Sequence, residues 1–230
     1  MATHLDLEEQ EQLDQLKAFW KKHGNLIVWT LVLALGLFGG FRWWQNHQAE
    51  TAAKAGALYD ELDRAAQAGD LDKATRVLGD LKEHFPSTAY MQQAGLLAAK
   101  LQFEKGQVEP AIATLNWVTE HAVETEYKTL ARIRLAGVLL DQKKYDDALK
   151  QLAAAEGKEF AALVADRRGD VLLAQGKKDE AKAAYLQAWE AMDPALEYRN
   201  LIDAKLVALG APPEADAAAK NAKGGAPSKP

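Results

Sequence analysis

His84 follows Glu83, and His121 follows Glu120; such neighbouring pairs are the smallest sets in this sequence that could move a proton or hold a metal ion. The two pairs lie one repeat apart. Each falls in what reads as the last turn of a helix, where a cationic or hydrogen-bonding side chain suits the exposed carbonyls. A structural role therefore fits them better than a catalytic one. Cysteine is absent, which removes thiol nucleophiles, Cys-ligated zinc and disulfides together. Ser87 and Ser228 are the only serines; Ser87, following Phe85-Pro86, reads as a helix N-cap. The acidic pairs Asp146-Asp147 and Asp179-Glu180 stand at expected helix starts, where the dipole favours negative charge. No phosphate-binding loop, dinucleotide fingerprint or H-E-x-x-H motif occurs. The sequence predicts no enzyme, no metal and no cofactor.

The elements that carry these residues follow from composition and pattern. The chain has 230 residues, is 48% hydrophobic and 27% charged, and carries a formal net charge of -5. That balance predicts a folded protein and argues against a nucleic-acid binder that relies on a basic surface. Gly24 to Phe41 is uncharged throughout, about 27 Å of helix at 1.5 Å per residue, close to the thickness of a bilayer core. Trp20, Lys21 and Lys22 precede it, and Arg42, Trp43 and Trp44 follow, as interfacial anchors should. The flanks do not resemble a cleavage site, so an uncleaved signal anchor is expected. Lys17, Lys21 and Lys22 outweigh Arg42, which predicts a cytoplasmic N-terminus and a translocated remainder. Gly36-x-x-x-Gly40 has the spacing that lets two membrane helices approach closely. Upstream, Asp6-x-x-Glu9 reads as a capping box, Leu13, Leu16 and Trp20 share a face, and Gly24 is a weak point before the membrane helix.

Beyond Gln48 strand signals vanish and one phrase recurs: a turn, polar residues, then Ala with a large apolar residue four positions on. Its alanines are Ala74, Ala111, Ala148 and Ala181, and the turns before them begin at Gly69, Gly106, Lys143 and Gly176. The period resembles that of tetratricopeptide repeats, two antiparallel helices in about 34 residues. Small Ala136 and Gly169 fall where paired helices must come close, and Leu62 makes the first unit the poorest match. The expected pairs are 49–67 with 71–84, 88–105 with 108–121, 125–142 with 146–155, and 159–175 with 178–192. A helix near 195–209 would cap the stack. The predicted fold class is all-α, a single transmembrane helix followed by a tetratricopeptide-repeat-like α-solenoid. Its divisions are an amphipathic cytoplasmic tail 1–23, a membrane helix 24–44, a translocated repeat domain 45–210 and a disordered tail 211–230.

In such a repeat the first helices line a groove. The pattern puts Tyr59, Leu96, Lys100, Phe103, Leu130, Ile133, Leu140, Asp166 and Asp170 on that surface, with Asp63, Gln93, Leu163 and Leu173 beside them. An apolar groove of this kind marks a protein partner. The Lys/Asn pattern of the carboxylate-clamp type is absent, so recognition of an acidic C-terminus is not expected.

These pieces together resemble a known family. An acidic tail leads to Leu16-Lys17-Ala18-Phe19-Trp20 and Gly24; after the apolar helix comes Arg42-Trp43-Trp44-Gln45-Asn46-His47-Gln48, then degenerate repeats. The chain to about residue 209 resembles the YfgM family of ancillary SecYEG translocon subunits of the Gram-negative inner membrane. The resemblance implies a single-pass, non-enzymatic adaptor with a periplasmic repeat domain. Its partners would be the SecYEG translocon and a membrane-anchored periplasmic chaperone of the prolyl-isomerase type, with emerging secreted proteins handed on to that chaperone. The rival expectation is a scaffold for envelope or cell-wall assembly without translocon contact.

Overall fold

The computed structural model describes residues 7–213, with side chains from residue 11. The capping box at Asp6 and the tail beyond residue 213 lie outside the described residues. Contacts divide the chain into two compact units, Met1–Ala53 and Lys54–Pro230. Helix α1 (Leu7–Gln67) contributes to both.

In the first unit α1 is apolar all round from Gly24 to Phe41. Leu26, Trp29, Leu33, Leu37, Phe38 and Phe41 are all exposed, and this is the one helix among the described residues long and apolar enough to cross a membrane. A helix with no polar face has no soluble core to complete and suits lipid. Thr30 donates its hydroxyl to the Leu26 carbonyl at 2.8 Å, which satisfies the polar atom within the helix. Trp20, Lys21, Lys22, Arg42, Trp43 and Trp44, expected as interfacial anchors, are exposed. A side-chain carbon added at Gly36 or Gly40 would meet nothing within 4 Å. Gly24, expected as a weak point, stays helical, because the Trp20 indole lies over it 3.1 Å from where a Cβ would stand.

The second unit is a stack of helical hairpins. The end of α1 pairs with α2 (Leu71–His84), α3 (Ala89–Glu104) with α4 (Val108–His121), and α5 (Thr125–Asp141) with α6 (Tyr145–Ala153). After a 3-10 turn at Lys158–Phe160, α7 (Ala161–Ala174) pairs with α8 (Lys178–Ala191), and α9 (Tyr198–Ala208) closes the series. The predicted all-α fold class is thus correct, and the limits of α2 to α9 lie within a few residues of the expected ones. The expected membrane helix 24–44 and first repeat helix 49–67 are instead one continuous helix, α1.

Each hairpin turns in the same way. Gly69, Gly106, Lys143 and Gly176 all have positive φ, 68°, 77°, 57° and 80°. In each turn this residue's N–H reaches the carbonyl three back, and the next N–H the carbonyl five back, as in Lys143 to Leu140 at 2.9 Å and Lys144 to Leu139 at 2.9 Å. This double bond satisfies carbonyls that a helix end leaves open. The start of α3 differs from expectation. Thr88, not Ser87, is the N-cap: its hydroxyl accepts from the Met91 N–H at 3.2 Å and donates to the Phe85 carbonyl at 2.9 Å.

Three cores run through this unit. The first joins the end of α1 with α2 and α3 around Leu62, Leu81 and Met91. The second joins α3 to α6 around Leu115, Leu135 and Leu152, and the third joins α7 to α9 around Tyr185, Ile202 and Leu206. The position held by Leu62, Ala99, Ala136 and Gly169 sets the spacing within each hairpin. At Gly169 the Tyr185 ring occupies the place of a Cβ, and α7 and α8 make the closest pair.

Candidate protein-binding cleft

First helices α3, α5 and α7 lie side by side, and a cleft of about 490 Å³ opens between them. Phe103, Leu115 and Val138 make it apolar; Lys100, Arg134 and Arg167 bring positive charge, against Asp141 alone. Lys100 and Phe103, both expected in the groove, stand together here, Lys100 exposed and Phe103 half-buried.

The cations are held differently. The Arg134 guanidinium donates to the Leu96 carbonyl at 3.0 Å and has no carboxylate within 4 Å among the described residues. Burial pushes its pKa down. Arg167 lies over Gly137 and reaches Asp170 at 3.2 Å, while its Nε–H is buried with no partner among the described residues. Lys100 meets Glu104 at 3.7 Å, an exposed pair of little energetic weight.

Other expected groove residues lie elsewhere. Leu96 and Ile133 are buried, 5% and 9% exposed, within the second core. Both share a register position with Asp166, 1% exposed. That position faces the adjoining helix rather than the cleft, because the first helices pack against each other along it. Leu130 and Leu140 are half-buried at the margin of the same core. Tyr59 packs on Tyr90 with ring centres 6.0 Å apart, and Gln93 donates to the Tyr127 hydroxyl at 2.8 Å.

Asp166 and Asp170 are taken up by the cap. Lys205 of α9 stands 2.7 Å from an oxygen of each. Tyr198 donates to Asp166 and Tyr185 to Asp170, both at 2.8 Å. Burial, then the bond to Asp166, pushes the Tyr198 phenol up to about 12, and Tyr185 is raised for the same kinds of reason. These carboxylates fasten α9, and Asp170 also holds the cleft residue Arg167 with its other oxygen.

The histidines take structural places. His121 stacks on Trp117 at 4.6 Å, its Nδ1 2.9 Å from the Trp117 carbonyl, and His84 lies 6.3 Å from the Phe85 ring. Among the described residues no group of three His, Asp or Glu side chains could hold a metal ion. The sequence reading missed Arg134 and Arg167. Their signal was a basic residue recurring at one register position of successive first helices.

Comparison with known proteins places this geometry among relatives. A tetratricopeptide repeat-like domain model matches residues 17–211. A Neisseria gonorrhoeae protein named ancillary SecYEG translocon subunit is 35% identical over 91% of this chain and 100% of its own length. Proteins of the same name from Haemophilus influenzae and Escherichia coli are 33% and 31% identical, over 79% and 80% of this chain and 89% and 86% of theirs.

Proposed function

Since the chain belongs to the family of ancillary SecYEG translocon subunits, with a tetratricopeptide repeat-like domain, we propose that it is a non-enzymatic adaptor of the inner membrane. The apolar stretch of α1 anchors it beside the translocon, with the N-terminus cytoplasmic and the hairpin stack in the periplasm. There the stack binds a membrane-anchored chaperone of the prolyl-isomerase type and helps pass emerging secreted proteins to it. The observation that carries this reading is the cleft between α3, α5 and α7, lined by apolar and charged side chains. Such an open, mixed surface recognises polypeptide.

A photoreactive residue in place of Phe103 tests it in living cells. Crosslinks to a periplasmic chaperone, or to exported proteins that vanish when synthesis stops, are expected. Crosslinks confined to cell-wall enzymes would turn the reading into that of an envelope scaffold. A purely internal crosslink would remove the cleft from the interface.

A further inference from the structure

The cleft has a charge that the rest of the chain does not. Its lining holds Lys100, Arg134 and Arg167 against Asp141, in a protein of net charge -5. One cation comes from each of three successive first helices, 34 and 33 residues apart in sequence. Arg134 reaches back to α3, where it meets the Leu96 carbonyl beside the turn that carries Lys100, and Arg167 reaches back over Gly137 of α5. Arg134 has only a carbonyl as partner; Arg167 is paired with Asp170 through one Nη and keeps a buried Nε–H with no partner among the described residues. A guanidinium withdrawn from water without a matching anion is costly, and a carboxylate would offset that cost.

The geometry points to an acidic, extended polypeptide segment as the occupant, its carboxylates on Arg134, Arg167 and Lys100 and an apolar side chain against Phe103 and Val138. Neighbouring helices pack about 8–10 Å apart, and an extended chain advances about 3.3 Å per residue. A segment crossing from α3 to α5 thus passes from Lys100 and Arg134 to Arg167 within about three residues. The occupant carries Asp or Glu at about that spacing, with apolar residues between. Burial lowers the Arg134 pKa, the desolvation cost that a carboxylate partner would offset. This rests on the reading of the cleft as a binding surface and adds the chemistry of what it binds.

The full chain in detergent, titrated into fluorescent peptides, tests it by anisotropy. One probe is a capped peptide of about ten residues with Glu at every third position and Leu between; the other has Gln for each Glu. Capping removes the terminal carboxylate, so only side-chain acids are read. Binding of the Glu peptide about 10-fold tighter than the Gln peptide, and weakening with salt, is expected. Arg134→Gln and Arg167→Gln should each cost about 10-fold, and exposed Lys100→Gln about 3-fold. Arg134→Lys, which keeps the charge if the glutamine variant folds poorly, should retain most of the affinity. Equal binding of both peptides, insensitive to these variants, overturns the acidic specificity but leaves the cleft as a docking surface. Binding of the Glu peptide only when its C-terminus is uncapped replaces the internal segment by a chain end. Binding of neither peptide, together with only internal crosslinks from position 103, removes the docking surface itself.

Discussion

Thr88 shows how one hydroxyl can start an element. It accepts from Met91 and donates to Phe85, so it closes the end of α2 and opens α3 at once. Thr88→Ala should cost about 1 kcal/mol in denaturant unfolding, whereas Ser87→Ala, at an exposed position, should cost nothing measurable. The sequence reading took Ser87, the better capper by propensity; backbone geometry places the cap at Thr88 instead. Tyr198 gives the molecule a pH dependence. Folding holds its phenol protonated up to about 12, against 10.0 ordinarily, so the native state keeps a proton that the unfolded chain has already lost. The resulting stability is full below pH 10 and is lost as pH rises from there to about 12. Tyr198→Phe should flatten part of that fall in the stability curve, and the phenolate absorbance of the native protein should lose a component that titrates near pH 12.

At the scale of elements, the hairpins were legible because the same turn recurs. Three of its positive-φ positions are glycine, and the fourth is Lys143, at φ 57°. A left-handed conformation costs an L-residue about 1–2 kcal/mol, part of which glycine returns through its looser unfolded chain. Lys143→Gly should therefore stabilise the fold by about 0.5–1 kcal/mol, read as a rise in Tm. Packing within hairpins tracks one small residue. At Gly169 the Tyr185 ring already fills the place of a methyl group, and Tyr185 is 1% exposed and tied to Asp170. Gly169→Ala should destabilise by about 1–3 kcal/mol, with the loss concentrated in α7, α8 and α9 as slowed hydrogen exchange fails there first. The groove was less legible for a physical reason. Apolar spacing marks every face of a first helix that is covered, and α3, α5 and α7 are covered on two sides. Leu96 and Ile133 carried the right period and the wrong face. The cleft announces itself through Arg134 and Arg167, whose charge sets them apart from the core.

For the whole molecule, the testable matter is which side of the membrane holds the hairpins. The chain lacks cysteine, so a single substitution at Asp60 or Glu180 gives an unambiguous reporter. Asp60→Cys and Glu180→Cys should both react with a membrane-impermeant maleimide in intact spheroplasts. Labelling only after lysis would place the stack in the cytoplasm and reverse the proposed orientation. The membrane helix itself was plain from composition, since an uncharged stretch of that length has few other uses.

The three cores of the stack are not sealed from one another. Trp117 borders the first and second, and Leu149 and Leu163 border the second and third. Under tension these few side chains are the couplings through which load passes from one hairpin to the next. A chain drawn from its C-terminal end would yield in steps, first α9 as Lys205 leaves its two carboxylates, then each hairpin as its seam gives way. The cleft spans such seams, so a segment lying across α3, α5 and α7 would act as a splint and raise the force at which the middle hairpins part.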